Sequence, residues 1–330
     1  MSKPTYAQIA QVAGVGTATV ERVLNGRGGV RPALVEQVVR AARALDWPGR
    51  LPDRHRGIVR VEVILVRPET SFFSRLASAF RRIAATLDPT IQLHVTFLDE
   101  SRPEAIAARI DAPGARRSGL VIASPDAPAI RDALLRLRQT GAPLVQIVTP
   151  TLPNADFVGI DNLAAGRTAA LMLARLGAVR GPVLALCHSP VYRVHRDRLR
   201  GFSDRLAAEP GAHLVHVGFT RDSRTEAARR VTEALALWPD LAGVYNAGGG
   251  NAGVTETLRR ARRPVFFVGH ELTETMAEAL TDGTAGVILD QRPEAQARRA
   301  TDLMLVRLGL IAEPMDNPPI RFTTLTAESL

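Results

Sequence analysis

The stretch Thr5–Gly26, TYAQIAQVAGVGTATVERVLNG, reads as two short helices around a tight turn. Thr5 is placed to cap the first helix, and Gln8 three residues later completes a capping box. Ile9, Ala10 and Val12 supply the buried side of that helix. Ala13-Gly14-Val15-Gly16 forms the turn, with Gly14 free to take a positive φ and Val15 filling the angle between helices. In the second helix Val20, Val23 and Leu24 recur at i, i+3 and i+4 and face inward. Thr17, Ala18, Glu21, Arg22 and Asn25 are left on the outer side. A third amphipathic segment runs from about Pro32 to Leu45, with Pro32 suited to a first turn.

Two helices joined by a short glycine turn, with a third as support, make a helix-turn-helix unit. Such a unit lays the N-terminal side chains of its second helix against base edges in the major groove. Here those are Thr17 and Ala18, small enough to touch a thymine methyl or a phosphate, and Arg22, able to pair with guanine O6 and N7. Charge agrees with this use. Residues 1–57 hold nine Lys/Arg against four Asp/Glu, more than half of the chain's net +9 in about a sixth of its 330 residues. A basic concentration of that kind favours a polyanionic partner. The arginine excess elsewhere says less, because Lys3 is the only lysine and a GC-rich genome accounts for that ratio.

The run from Ala13 to Trp47 resembles the DNA-binding head of the LacI family of bacterial repressors. Ala13, Gly14, Val15, Thr19, Val20, Arg22, Val23, Leu24 and Asn25 agree with the family pattern position by position. The resemblance implies that Thr17, Ala18 and Arg22 read bases while Thr19 and Asn25 hold phosphates or the following loop. Thr5 and Arg31 complete the candidate DNA-facing set. Gly16 and Glu21 stand where the family usually has serines; Glu21 is tolerable near phosphates if it meets a cytosine N4 or an arginine such as Arg22. After Trp47-Pro48 the chain reads GRLPDRHRG. Pro52 opposes a helix through Leu51, so the linker, placed at 48–58, is expected to be an atypical hinge between a head at 1–47 and a body at 59–330.

From Val59 onward, apolar runs alternate with helical patterns. The runs fall near 59–66, 91–98, 119–123, 144–148, 157–160, 182–187, 213–217, 242–246, 264–269 and 285–289. That alternation predicts parallel sheets covered by helices on both faces, and so many strands suit two doubly wound subdomains. The chain is therefore expected to be α/β, an all-α head followed by two such subdomains. Crossovers are expected near 149–161, near 289–293 and in the C-terminal segment.

Ligands in such folds sit beyond the C-terminal ends of the strands. Polar residues at or just past those ends are Ser124, Asp161, Asn162, Asn246, His270, Glu271, Asp290 and Gln291. Arg198 lies on a neighbouring helix, and Phe72 and Phe73 open the first. Carboxylates, amides and an arginine beside apolar walls suit the hydroxyl groups of a sugar or polyol. The body also resembles the periplasmic-binding-protein-like (type I) effector domain of the same family, through Asp161-Asn162, Arg198-x-x-Gly201-Phe202 and VGHE at Val268–Glu271. That likeness implies effector contacts at Asp161, Arg198, Asn246, Glu271 and Asp290 or Gln291, with Glu271 replacing the usual Asp.

Gly248-x-Gly250-x-x-Gly253 in VYNAGGGNAG raises a rival reading. The spacing fits a dinucleotide loop, and with it a cytosolic NAD-dependent oxidoreductase. Against this, the loop comes late in its domain, whereas dinucleotide sites open on the first βα unit. Neither G-x-S-x-G nor G-x-x-x-x-G-K-[ST] is present, and the histidines lack metal-site spacing, so His188 and His195 are expected to be structural. No catalytic residue, metal or cofactor is assigned. Cys187 is the only cysteine, which excludes an intrachain disulfide. No run of about 20 apolar residues or secretory h-region occurs. The expectation is a cytoplasmic, ligand-responsive repressor acting as a homodimer or larger homo-oligomer on a near-palindromic operator.

Overall fold

The computed structural model describes residues 4–27, 29–49, 58–114, 116–261 and 263–330. The chain divides into two compact units, Met1–Val59 and Arg60–Leu330.

The first unit holds three helices, α1 (Tyr6–Ala13), α2 (Thr17–Leu24) and α3 (Pro32–Ala44). Thr5 caps α1: its hydroxyl accepts from the Gln8 N–H, and the Gln8 carboxamide accepts from the Thr5 N–H at 2.8 Å. A cap of this kind stabilises the helix by about 1 kcal/mol. Gly14 ends α1 at φ +63°, the left-handed turn that the sequence requires there. Gly16 is the N-cap of α2 and offers no side-chain bond. Ile9, Val20, Val38, Val39 and Ala42 make the core of the unit, with Leu24, Leu45 and Trp47 packed around it. Val12, expected on the inner side, is 57% exposed, because α1 turns only Ile9 and Ala10 fully inward. Leu51, Pro52 and most of the expected hinge lie outside the described residues.

The second unit carries two sheets. The first runs β2-β1-β3-β4-β5, built from β1 (Val59–Val66), β2 (Ile91–Leu98), β3 (Gly119–Ile122), β4 (Leu144–Ile147) and β5 (Asp156–Val158). β1, β3, β4 and β5 pair in parallel. β3 is apolar along its length and β1 largely so because helices cover both faces; the exception buried in β1 is Glu62, paired with Arg109 and Arg117. The helices of this lobe are α4 (Ser71–Ala84), α5 (Pro103–Asp111), α6 (Pro128–Gln139) and, from far along the chain, α12 (Pro293–Arg307), which packs on α4 and β4.

The second sheet runs β11-β10-β9-β8-β6-β7. Its strands are β6 (Gly181–Cys187), β7 (Ala212–Phe219), β8 (Gly243–Asn246), β9 (Phe266–His270), β10 (Val287–Asp290) and β11 (Thr323–Leu325). Only β11 is antiparallel to its neighbour. α7 (Asn162–Arg175), α8 (Arg193–Leu206), α9 (Arg224–Leu237), α10 (Asn251–Ala261) and α11 (Glu274–Thr281) belong to this lobe. Its core includes Leu184, Leu186, Val231, Val244, Phe267 and Ile288, all fully buried. Burying one such side chain contributes about 1.5–3 kcal/mol.

The chain passes between the lobes after β5, after β10 into α12, and along the segment leading to β11, where Ile160 bridges Ile320. The segment from Thr149 to Asp161 is not connection alone, since β5 extends the first sheet within it. β11, too short and too exposed to give an apolar run, has no counterpart among the sequence-derived strands.

Candidate functional site

On the first unit, Thr17, Ala18 and Arg22 are exposed along α2, and Thr5, Asn25 and Arg31 are exposed beside it; Thr19 is half-buried. Glu21 meets Arg27 at 3.3 Å rather than Arg22. Arg22 is thus an exposed guanidinium with no ion pair among the described residues.

In the body, a cavity of about 300 Å³ opens between the C-terminal ends of the two sheets. Its walls are backbone-strained. Arg67, Val148, Asp222 and Glu271 all line it and all have positive φ, at 51°, 72°, 57° and 68°. For the β-branched Val148 this is a marked outlier, and strain of this kind concentrates at binding sites.

Arg198 projects from α8 and is almost fully buried. Its Nε donates to Asn162 Oδ1 at 2.8 Å, one terminal nitrogen to the Ala247 carbonyl at 2.8 Å, and the other to Gln291 Oε1. Gln291 in turn donates to Glu271. Guanidinium has five N–H groups, so two remain for a ligand. Burial, and then the nearby Asp290 charge, push the Glu271 carboxyl up to about 8, against the opposing pull of Gln291, Arg198 and Arg75. Its Oε2 has no hydrogen-bond partner.

Two histidines finish the wall. Burial drives His195 down to about 3 and His270 well below the usual imidazole range, so both rings are neutral. Both ring nitrogens of His195 and Nδ1 of His270 lack hydrogen-bond partners, while His270 Nε2 lies 3.0 Å from the Tyr245 hydroxyl. Phe72 and Phe73 meet edge to face at 5.2 Å and give the cavity its apolar side.

Several sequence-derived candidates stand behind this surface. Asp161 does not line the cavity; its carboxylate accepts from the Ala164 N–H and caps α7. Ser124 is buried away from the cavity. Asn246 is fully buried and ties the glycine loop, donating to the Gly249 carbonyl and to Asn251 Oδ1 at 2.8 and 2.7 Å. Asp290 accepts from the Leu272 and Arg292 N–H groups and from Arg75 at 2.6 Å, holding the turns that aim Glu271 and Gln291. The cavity gathers Phe72, Phe73, Arg198, Glu271 and Gln291 from the expected set.

His270, collected at the end of β9, lines the cavity, as do Arg67, Asp222, His195 and Asn251, which the sequence reading does not place there. His195, expected to be structural, faces the cavity. Asp222 follows β7, which continues to Phe219, beyond the apolar run at 213–217. Arg67 and Asp222 both stand just past strand ends, those of β1 and β7.

Asp222 also settles what the glycines do. Its Oδ1 accepts the Gly249 N–H at 2.6 Å, so a carboxylate of the protein occupies the anion-binding face of the loop. A Cβ on Gly248 would lie 2.7 Å from the same oxygen, and one on Gly253 would lie 1.9 Å from the Arg224 carbonyl of α9. The glycines admit Asp222 and a neighbouring helix, and the loop offers a pyrophosphate no free cradle. Among the described residues there is no cluster of side chains suited to a metal ion, and no helix long and apolar enough to cross a membrane.

Comparison with known proteins agrees with this division. Residues 5–48 match the model for bacterial regulatory proteins of the lacI family, and residues 61–309 match the periplasmic binding protein domain. The HTH-type transcriptional regulator CelR of Thermobifida fusca is 29% identical over 95% of this chain and 94% of its own length. In fold the body is similar to GanP, a glucose-galactose binding protein from Geobacillus stearothermophilus (TM-score 0.74, 17% identity, 83% of this chain and 99% of that one). It is also similar to an ABC transporter solute binding protein from Burkholderia graminis in complex with D-arabinose (TM-score 0.74, 18% identity, 84% and 98%). The chain belongs to the LacI family of bacterial regulatory proteins and is a transcription regulator whose body is a periplasmic binding protein domain.

Proposed function

We propose that the protein represses transcription in the cytoplasm by binding a near-palindromic operator as a homodimer, under the control of a sugar or polyol held between its two lobes. Paired recognition helices then enter successive major grooves about 34 Å apart. Arg22, Thr17 and Ala18 read bases, and Thr5, Thr19, Asn25 and Arg31 position the head on phosphates. The cleft acts by binding rather than turnover. Effector binding shifts the balance between lobe arrangements and so the operator affinity, a coupling of typically ~1–3 kcal/mol.

The observation that carries the effector reading is the set of buried polar atoms without a hydrogen-bond partner on residues that line the cavity: both nitrogens of His195 and His270 Nδ1. Each such atom costs about 1–3 kcal/mol while unpaired. A molecule rich in hydroxyls satisfies them, because a hydroxyl both donates and accepts. Arg67 is matched with Asp222 and Arg75 with Asp290, whereas Arg198 meets only neutral acceptors, so a hydroxyl-rich ligand that also offers this guanidinium an acceptor suits the cleft. The similar proteins whose names or bound molecules are sugars support the same class.

A thermal-shift screen of sugars, polyols and sugar acids tests this. A true effector at about 100 times its Kd stabilises the body by about 2.7 kcal/mol and raises its melting temperature. An unmoved melting temperature across the whole panel contradicts the reading.

A further inference from the structure

Arg198 is 3% exposed and lines the cavity. Each of its three hydrogen bonds within the protein ends on a neutral oxygen: the Asn162 amide, the Ala247 carbonyl and the Gln291 amide. One N–H is left over on each terminal nitrogen. Other buried arginines of the body are treated differently. Arg117 pairs with Glu62 at 2.8 Å, and Arg67 pairs with Asp222 and lies 3.3 Å from Glu100. A guanidinium keeps its proton inside a protein, and a buried charge without a partner of opposite sign is costly. The carboxyl groups whose charges reach Arg198 are those of Glu271 and Asp222, and both are engaged elsewhere. Asp222 accepts from Arg67 and from the Gly249 N–H. Glu271 accepts from Gln291 and faces Arg75 at 3.5 Å, and burial pushes its carboxyl up to about 8, so it is largely uncharged at neutral pH.

We propose that the effector is a polyhydroxy carboxylate, a sugar acid of the uronic or aldonic kind, whose carboxylate sits on Arg198 and whose hydroxyls meet His195 and His270. This deepens the reading of the cleft as a sugar or polyol site and rests on it. A carboxylate offers an oxygen to each of the two terminal nitrogens, and hydrogen bonds between charged partners are roughly twice as strong as neutral ones. The histidines ask for something else. A neutral imidazole presents one donor and one acceptor, which a hydroxyl satisfies and a carboxylate does not. The wall therefore calls for both kinds of group in one molecule. A single guanidinium matches a single negative charge. A phosphate dianion suits the cavity less well, because the Asp222 carboxylate lines it and already holds the Gly249 N–H of the glycine loop.

The test is calorimetric titration of the full-length protein at neutral pH with matched ligands. These are the acids D-galacturonate, D-glucuronate and D-gluconate, their neutral counterparts D-galactose, D-glucose and D-glucitol, and the corresponding sugar phosphates. At least one acid is expected to bind at least about tenfold more tightly than its neutral counterpart and its phosphate. Arg198→Gln keeps an amide in place and removes the charge, and should shrink the acid's lead to about threefold or less. Arg198→Lys keeps the charge and should retain a lead. Simple loss of stability weakens acid and neutral ligand together and leaves their ratio unchanged, and the wild-type ratio decides the sign of the ligand even if a variant fails to fold. A neutral sugar or polyol that binds as tightly as every acid overturns this inference and leaves the cleft as a sugar site. A phosphate that binds most tightly overturns the assignment of a carboxylate. An acid's lead that survives intact in Arg198→Gln overturns Arg198 as its seat. The absence of binding by all three classes overturns this inference together with the reading on which it rests.

Discussion

Glu271→Gln turns the buried carboxyl of the cleft into a measurable pH dependence. The folded protein moves this group from an ordinary 4.5 to about 8, through burial first and then Asp290. Arg75 of α4, Arg198 of α8 and the Gln291 amide face it and oppose the shift without cancelling it. Between those two values the folded state keeps a proton that the unfolded chain has released. Stability from this group is therefore complete below pH 4.5 and falls as pH rises towards 8. At 1.36 kcal/mol per pKa unit, the loss between about pH 5 and about pH 9 is roughly 4 kcal/mol. Glutamine has nearly the same shape and stays neutral throughout. The variant should match the wild type near pH 5 and exceed it by roughly 4 kcal/mol near pH 9, or about 10 °C in melting temperature for a body of this size. Urea denaturation of both proteins across that range gives the difference directly. His195, held near 3 by burial, lowers stability at acid pH in both proteins alike and cancels in the comparison. Curves that stay parallel from acid to alkaline pH would refute the placement of Glu271 as a buried, largely protonated acid.

Arg22→Ala should weaken operator binding by about 1–3 kcal/mol and relax preference at one base position; a footprint series with unchanged sequence preference would remove Arg22 from base reading. Arg198→Ala strips donors from Asn162, the Ala247 carbonyl and Gln291. It should abolish the response to effector while the separately packed head still binds operator, and a normal induction curve would contradict the assigned cleft. Gly253→Ala places a Cβ 1.9 Å from a carbonyl of α9 and should destabilise the body by about 1–3 kcal/mol through overpacking. An unchanged unfolding midpoint would show that α9 and α10 do not approach so closely.

The head was legible because its signals are local. Thr5 with Gln8, Gly14 at a turn, and Val20 with Val23 each constrain residues within one or two helical turns. The alternation of the body was equally plain, since buried parallel strands such as β3, and most of β1 and β4, are short apolar runs. The site was only partly legible. Arg198, Glu271 and Gln291 sit where strand ends and the neighbouring helix predict. Asp161, Asn246 and Asp290 also occupy such ends, but they point backwards and serve as a cap, a loop tie and a turn anchor. Sequence does not say which way a polar side chain turns at a strand end. Nor does it show that Arg67 and Asp222, 155 residues apart, pair across the cleft, or that Val148 and Glu271 adopt positive φ. Those facts follow from tertiary packing.

The most direct test of the account is the anisotropy of a labelled duplex from the protein's own promoter region, titrated with protein at fixed physiological salt, with and without a ligand that raises the melting temperature. The account predicts tight binding to that duplex over a scrambled one, by about 10³-fold or more, and a change of about 5–150-fold on adding the ligand. Equal, wholly salt-dependent affinity for both duplexes, unmoved by any cleft ligand, would contradict it.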